Sequence, residues 1–143
     1  MRDRAIILLA EDDPVDVMSI RRAFKKHRIT NPLFVVGNGE EALAFLQHDG
    51  KFVDPSTSPR PSLILLDLNM PRMGGLELLR IIKKVPDLRE IPVVVLTTST
   101  EQSDIKTSYQ NGVAGYIVKP VTFEKFAEAL QIFHFYWTLS ELP

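Results

Sequence analysis

Acidic residues follow two short apolar runs in this chain, and their types suggest metal chemistry. Glu11, Asp12 and Asp13 come after the first run, and Asp67 comes after a later one. Carboxylates that share a pocket repel one another unless a cation compensates their charge. A few carboxylates with retained waters suit Mg²⁺ better than an enclosing Ca²⁺ cage. If the two runs lie side by side, the sequence predicts a magnesium site, with Asp13 capping the following helix instead of binding the metal.

Further polar residues follow other apolar runs. Asn69 lies just after Asp67, Thr97 follows the fourth run, and Lys119 follows the fifth. A carboxylate whose charge is neutralised by a metal ion and an ammonium group can attack an electrophilic phosphorus. These residue types therefore predict phosphoryl transfer to an aspartate.

Such a pocket needs a scaffold that brings the ends of separate segments together. The chain has five short apolar runs, and they are continuous instead of alternating, which is typical of strands buried on both faces of a parallel sheet. The predicted strands lie at 5–10, 33–36, 63–66, 93–96 and 115–118.

The segments between these runs carry helix signals. Strand and helix alternate five times, and right-handed crossovers then predict an α/β fold, a doubly wound (βα)5 sandwich. Ligands of such folds bind beyond the carboxyl ends of the strands, where the polar residues above are found. The helix predictions rest on a cap at Asp13 before Pro14, a cap at Asn38, a helix over 75–85, a capping box of Ser99 with Gln102, and a long C-terminal helix at about 122–141.

Length and composition exclude several functions. The 143 residues suit one domain, 1–143, and the segment 49–61, with its Pro, Gly and Ser residues, predicts an extended exposed loop. Lys and Arg number 17 against 18 Asp and Glu, a balance that argues against nucleic acid as a partner. There is no Cys, and no apolar run is long enough for a signal peptide or a membrane span. We expect a cytoplasmic protein that binds neither nucleic acid nor membrane.

Four motifs together resemble a known family. The strings ILLAEDDP, LILLDLNMPRMGG, IPVVVLTTS and GYIVKP are similar to the receiver domain of two-component response regulators, the CheY-like family. The resemblance covers nearly the whole chain, and it implies a five-stranded parallel sheet in the flavodoxin-like order 2-1-3-4-5. It also implies a signalling protein instead of an enzyme with a separate substrate.

The resemblance assigns a role to each polar residue of the pocket. It makes Asp67 the phosphoacceptor for a phosphohistidine on a sensor histidine kinase, with Thr97 and Lys119 contacting the phosphoryl oxygens. It also implies a Mg²⁺ cofactor, for which Mn²⁺ can substitute. The implied metal ligands are Glu11, Asp12, Asp67 and the backbone carbonyl of Asn69.

The resemblance also implies a conformational switch. Thr97 would pull the following loop inward when it binds the phosphoryl group, and Tyr116 would turn from an exposed to a buried position. An aromatic residue on a central strand also suits a simple core position. The implied output surface is formed by the fourth helix, the fifth strand and the fifth helix. A cis peptide bond before Pro120 is expected to fix the backbone of Lys119.

The C-terminal segment has more apolar residues than one buried helix face needs. A second apolar face predicts homodimerisation through this helix, the alternative being that the segment folds back on the core. The loop at 49–61 and this aromatic segment resemble single-domain regulators that work with phytochrome kinases. The predicted dimer interface consists of Phe133, Phe135, Tyr136 and Trp137.

Two other functions remain open from the residues alone. One is a phosphohydrolase similar to haloacid dehalogenases, whose chemistry needs an acid where this chain has Asn69. The other is a degenerate receiver that only binds partners, which the presence of the acids, Thr97 and Lys119 disfavours. The three histidines lack partner carboxylates at catalytic spacing. Basic residues on the first helix form either a solvated face or a kinase contact; they are Arg21, Arg22, Lys25, Lys26 and Arg28.

Overall fold

The computed structural model describes residues 5–26 and 28–119. Within them, strands and helices alternate as the apolar runs predict. The predicted helix at 122–141, Pro120 and the predicted dimer residues Phe133, Phe135, Tyr136 and Trp137 lie outside the described residues. The elements are β1 (Ile7–Ala10), α1 (Pro14–Lys26), β2 (Leu33–Val36), α2 (Gly39–Gln47), β3 (Leu63–Leu66), α3 (Gly75–Lys84), β4 (Val93–Thr97), α4 (Gln102–Gln110) and β5 (Gly115–Val118).

The five strands form one parallel sheet in the order β2-β1-β3-β4-β5. This confirms the predicted order and the α/β fold. β1 lies between β2 and β3, and its last residue, Ala10, faces Val36 on one side and Leu66 on the other. The residues that follow these three strands therefore meet at one edge of the sheet, which we call the carboxyl edge.

The continuous apolar strands are buried because helices cover both faces of the sheet. Successive side chains of a strand point to opposite faces. In β3, Ile64 and Leu66 belong to a core cluster with residues of α2 and α3, whereas Leu63 and Leu65 belong to a second cluster with residues of α1. Strands of this kind need apolar residues at every position.

Two helices begin at the carboxyl edge with the predicted caps. Asp13 Oδ1 accepts a hydrogen bond from the backbone N–H of Val15 at 2.9 Å. Asn38 Oδ1 accepts one from the N–H of Glu41 at 2.8 Å. Each cap satisfies an N–H group that has no partner within the helix. The roles of Asp13 and Asn38 as caps are confirmed.

The predicted capping box at Ser99 is wrong. α4 begins at Gln102, its N-cap position is Glu101, and no side chain caps it. Ser99 Oγ instead donates to Asp104 Oδ2 at 2.6 Å and accepts from the N–H of Glu101 at 3.3 Å. The serine is thus engaged by an acid inside the helix, which lets the loop extend further before the helix starts.

The segment at 49–61 is mainly exposed, as predicted, and it contacts the rest of the protein at a few places. It contains a short 3-10 turn, Gly50–Phe52, and the Phe52 ring contacts the Phe45 ring of α2 with centroids 5.3 Å apart. Ser58 is buried, and its carbonyl lies 2.9 Å from Nε2 of His48. The segment therefore contacts the end of α2 through Phe52 and Ser58, while most of its other residues remain exposed.

Candidate functional site

Three carboxylates come together at the carboxyl edge. Glu11 and Asp12 follow β1 and Asp67 follows β3, and one oxygen of each lies within 4.8 Å of the others. Glu11 and Asp67 are buried, and Asp12 is exposed. The pairing of β1 with β3 places these residues side by side, as the sequence predicts for adjacent runs.

The chemistry of this donor set fits a hard divalent cation. Burial raises the pKa of Glu11 to about 7; the neighbouring Asp67 adds to the rise, and a hydrogen bond from Lys119 partly opposes it. A carboxyl group in this state is stabilised in its charged form by a nearby cation. Carboxylate oxygens are the ligands that Mg²⁺ and Mn²⁺ prefer, so the three residues fit the predicted cofactor.

Backbone hydrogen bonds hold the two buried acids in place. The N–H of Glu11 donates to the carbonyl of Val36 at 2.9 Å, and the N–H of Asp67 donates to that of Ala10 at 3.0 Å. The N–H of Asn69 donates to Asp67 Oδ1 at 3.1 Å, which fixes one carboxylate oxygen. The sheet therefore orients these carboxylates before any ligand binds.

Lys119 follows β5 and extends its ammonium group into the acids. Nζ lies 2.6 Å from Glu11 Oε1, 2.7 Å from Asp16 Oδ2 and 3.5 Å from Asp67 Oδ2. Burial alone would lower the pKa of Lys119, but the hydrogen bonds to Asp16 and Glu11 outweigh it and raise the pKa above its ordinary value. The lysine is therefore a permanent cation in the pocket, as the sequence predicts.

Asp16 is the member of this site that sequence reasoning missed. It lies in the first turn of α1, where an acid is favourable simply because of the helix dipole. The only signal was its place one helical turn after the acids at the end of β1. In the structure it binds Lys119 from α1, whereas Glu11 and Asp67 approach the lysine from residues that follow strands.

Thr97 contributes a hydroxyl group beside Asn69. It is fully buried and is the last residue of β4, so the strand extends one residue beyond the predicted run. Its Oγ1 accepts from the Asn69 side-chain amide at 3.3 Å and from the N–H of Ser99 at 3.4 Å. The Asn69 amide thus donates to Thr97. The phosphohydrolase alternative instead needs an acid at this position to transfer a proton.

Tyr116, on β5, connects the sheet to the loop after β4. Its hydroxyl donates to the carbonyl of Ser99 at 3.0 Å, and its ring packs against the core as a partly buried side chain. Burial raises the pKa of Tyr116, and the charges of Asp104 and Asp67 add to the rise. The neutral phenol is therefore kept as a hydrogen-bond donor.

The remaining candidate residues lie away from this pocket. The basic residues on and after α1, Arg21, Arg22, Lys25, Lys26 and Arg28, are exposed. His48 contacts the carbonyl of Ser58, and His27 and His134 lie outside the described residues. Among residues 5–26 and 28–119, no helix is long and apolar enough to cross a membrane.

The pocket at the carboxyl edge of this doubly wound sheet contains carboxylates, an ammonium group and a hydroxyl group. These groups are typical of α/β proteins that bind divalent cations and phosphoryl groups. Sequence comparison specifies the family. The chain belongs to the response regulator receiver domain family, whose model matches residues 7–131. The resemblance inferred from the four motifs is confirmed.

Two relatives align over most of the chain. Response regulator Rcp1 of Synechocystis sp. is 40% identical over 132 residues, which cover 92% of this chain and 88% of Rcp1. The probable methanogenesis regulatory protein FilR2 of Methanothrix harundinacea is 39% identical over 136 residues, which cover 94% of this chain and 84% of FilR2.

Solved structures of response regulators have the same fold. The phosphorylated cyanobacterial phytochrome response regulator RcpA has a TM-score of 0.85 at 35% identity, covering 98% of this chain and 99% of RcpA. The Mn²⁺-bound form of Rcp1 has a TM-score of 0.83 at 40% identity, covering 97% and 99%. Response regulator RPA3017 of R. palustris, described in red light signalling, has a TM-score of 0.88 at 31% identity, covering 97% and 98%. These similarities support both the receiver function and a divalent metal cofactor.

Proposed function

We propose that this protein is a phosphorylation-dependent response regulator in which Asp67 accepts a phosphoryl group from a phosphohistidine of a sensor histidine kinase. One observation carries the assignment. The buried carboxylate of Asp67 lies among two other acids, within 4.8 Å, and 3.5 Å from the ammonium of Lys119. A carboxylate in such surroundings is positioned by its backbone and partly neutralised by a cation, as an attacking group requires.

The transfer is a nucleophilic substitution at phosphorus. A carboxylate oxygen of Asp67 attacks the phosphorus, the P–N bond to the kinase histidine breaks, and its electron pair returns to the imidazole. The product is an acyl phosphate on Asp67. The N–H of Asn69, at 3.1 Å from Oδ1, limits rotation of the carboxylate during the attack.

Glu11, Asp12 and Asp67 would hold the divalent cation, together with the backbone carbonyl of Asn69. When bound, the cation supplies positive charge that offsets the negative charge of the phosphoryl oxygens. Lys119 supplies a second positive charge and donates to one phosphoryl oxygen. Thr97 donates to another, since both of its present bonds use Oγ1 as an acceptor and leave its proton available.

The same contacts support a switch. Movement of Thr97 toward a phosphoryl oxygen displaces the N–H of Ser99, which it now binds, and so moves the loop before α4. The hydroxyl of Tyr116 donates to the carbonyl of the same Ser99, so the Tyr116 side chain moves with this loop. The output surface proposed from this linkage consists of α4, β5 and the helix predicted at about 122–141, and the phosphoryl group biases it between two arrangements.

The proposed partner is a sensor histidine kinase of the phytochrome type. Similarity to the phytochrome response regulator RcpA and to RPA3017, which is described in red light signalling, supports this choice over nearly the full length of each. The exposed basic residues of α1 are proposed as part of its docking face. Phosphotransfer from a phytochrome kinase in red and far-red light tests the pairing; equal transfer from unrelated kinases would contradict it.

We further propose that 1–143 acts as a single receiver domain that catalyses only its own phosphorylation and dephosphorylation. The proposed output is homodimerisation through the helix predicted at about 122–141. Light scattering coupled to size exclusion tests this with Phe135→Ala and Tyr136→Ala, which are expected to give monomers. Wild-type protein that is monomeric at micromolar concentration would contradict the dimer.

Intact mass spectrometry after incubation with acetyl phosphate and Mg²⁺ tests the phosphoacceptor. We expect one phosphoryl adduct that is stable in acid and lost in base, as an acyl phosphate is. Asp67→Ala and EDTA should each abolish it. Asp54→Ala, at an exposed acid in the 49–61 segment, is the control and should be phosphorylated normally. A folded wild-type protein that gains no adduct, or an adduct that survives in Asp67→Ala, would disprove the assignment.

A further inference from the structure

Two carboxylates bind the ammonium group of Lys119, and one of them lies outside the cluster proposed to hold the metal. Glu11 Oε1 is 2.6 Å and Asp16 Oδ2 is 2.7 Å from Nζ, both within hydrogen-bond distance. Asp67 Oδ2 is 3.5 Å away, beyond the length of a charged hydrogen bond. The lysine is therefore held beside Asp67 without a strong bond to it.

Phosphorylation of Asp67 changes what the lysine must bind. A phosphoryl group on Asp67 adds anionic oxygens close to Nζ, and a charged N–H donor binds such an oxygen at about 2.7–2.9 Å. The three N–H donors of an ammonium group point in fixed tetrahedral directions, so aligning one of them with a phosphoryl oxygen changes its alignment with the present partners. We expect one of the two short ion pairs to lengthen.

The two partners differ in what their release would cost. The side chain of Glu11 is 1% exposed, so its carboxylate stays inside the pocket beside Lys119 and cannot turn to water. The side chain of Asp16 is 33% exposed, so its carboxylate can return to water. An ion pair at such a position contributes little net stability because water replaces it readily. Asp16 is therefore the partner that gives way.

We propose that Asp16 is a positioning residue that holds Lys119 in the unphosphorylated protein and releases it when Asp67 carries a phosphoryl group. This inference depends on the proposed phosphoacceptor function. A contact that exists only in the free state stabilises that state, so Asp16 opposes phosphorylation. Its release also frees a carboxylate in the first turn of α1, so the state of Asp67 changes the charge pairing of that helix.

Binding of beryllofluoride with Mg²⁺ tests the release, because this anion occupies a phosphoryl position on a carboxylate without a donor kinase. Isothermal titration calorimetry on Asp16→Asn should show binding about two- to fivefold tighter than in the wild type, the range set by a partly exposed ion pair. Asp16→Glu keeps the carboxylate and should restore wild-type affinity. Asp13→Asn is the control: it removes the same charge from the same end of α1 and keeps the cap, since Asn caps as well as Asp.

Thermal unfolding supplies a second readout. Without beryllofluoride, Asp16→Asn should lower the Tm by about 1–4 °C. At saturating beryllofluoride and Mg²⁺, the difference from the wild type should disappear, because the ion pair is already broken there. An equal loss of Tm in both states would show that Asp16 is only structural and would overturn the proposal.

The remaining outcomes separate this inference from the proposed function. Unchanged or weaker binding by Asp16→Asn would overturn the release of Asp16. Equal tightening by Asp13→Asn would overturn it too, because the loss of any negative charge at this end of α1 would then explain the effect. Wild-type protein that binds no beryllofluoride while folded would overturn the phosphoacceptor function itself, and the release of Asp16 with it.

Discussion

Along β3 the chain passes in one step from Leu66, which is fully buried among apolar side chains, to Asp67, whose carboxylate lies among charged groups. The interior of the sheet contains apolar residues that face helices on both sides. Its carboxyl edge contains acids, a hydroxyl and an ammonium that face one another. The two regions are thus consecutive parts of the same strands.

The interior and the edge contribute different things to the protein. Interior side chains contribute burial, so another apolar residue of similar volume serves nearly as well. Edge side chains place like charges together in a buried site, which lowers stability until a cation binds. Substitutions in the interior should therefore reduce stability, and some at the edge should increase stability while they abolish phosphorylation.

The largest expected effect is in the interior. Leu65→Ala should lower the free energy of unfolding by about 2–5 kcal/mol, because Leu65 is fully buried and its removal leaves a cavity. Urea denaturation measures this loss. Leu65→Met conserves volume and should cost less than about 1.5 kcal/mol. An alanine variant as stable as the wild type would show that this face of the sheet is not packed as described.

A glycine at the boundary between the two regions should affect both. A Cβ on Gly75 would lie 2.4 Å from the carbonyl oxygen of Asp67 and 2.8 Å from Cα of Leu68, so the backbone that carries Asp67 has to shift. Gly75→Ala should lower stability by about 1–3 kcal/mol and slow phosphorylation. Gly37→Ala is the control, because a Cβ there has nothing within 4 Å. Equal effects of the two variants would contradict this account.

At the edge, Glu11 should make stability depend on pH in the absence of metal. Its pKa is raised from 4.5 to about 7 in the folded protein, so the folded state retains its proton longer than the unfolded state. The stability that protonated Glu11 contributes is therefore fully present below the pKa of the unfolded state, 4.5, and it is lost as the pH rises through the folded-state pKa of about 7.

Glu11→Gln in EDTA should remove this dependence and be more stable than the wild type at pH 8 by about 1–2 kcal/mol. Denaturation curves from pH 5 to 8 measure the difference. Mg²⁺ should stabilise the wild type above pH 7 and the variant much less. A variant that is less stable than the wild type at pH 8 would show that Glu11 contributes more through its bond to Lys119 than burial costs.

The smallest expected effect concerns a polar edge residue that serves the fold. Asn38→Ala should lower stability by about 1 kcal/mol, because the first turn of α2 loses its cap, and should leave phosphorylation unchanged. Asn38→Asp keeps an acceptor for the N–H of Glu41 and should be close to the wild type. Loss of phosphorylation in the alanine variant would place Asn38 in the site.

Patterns local to the chain predicted most of the fold. Each strand is a short apolar run with a polar end, so its position is visible in the sequence, and β2, β3 and β5 have the predicted bounds. The start of α4 differs from the prediction because Ser99 donates to the Asp104 side chain five residues later and does not form a capping box with Gln102.

The site was predictable where its residues end strands, and less so where they lie on helices. Glu11, Asp67 and Lys119 each end an apolar run, and parallel strands bring such ends together. Asp16 does not follow an apolar run, and an acid in the first turn of a helix is common because the helix dipole favours it there. Its contact with Lys119 depends on how α1 lies across the end of β5, which no single segment specifies.

The pairing of β1 with β3 also determines when the site can form during folding. Ile7 faces Leu63, so this ladder closes a loop that contains α1, β2 and α2. Contacts between residues distant in sequence carry a large entropic cost and form slowly relative to local ones. Glu11 and Asp67 become neighbours only through this ladder, so nascent or partly folded chains lack the acidic pocket. The appearance of divalent cation binding in a refolding experiment is therefore a kinetic marker for the joining of the first and third strands.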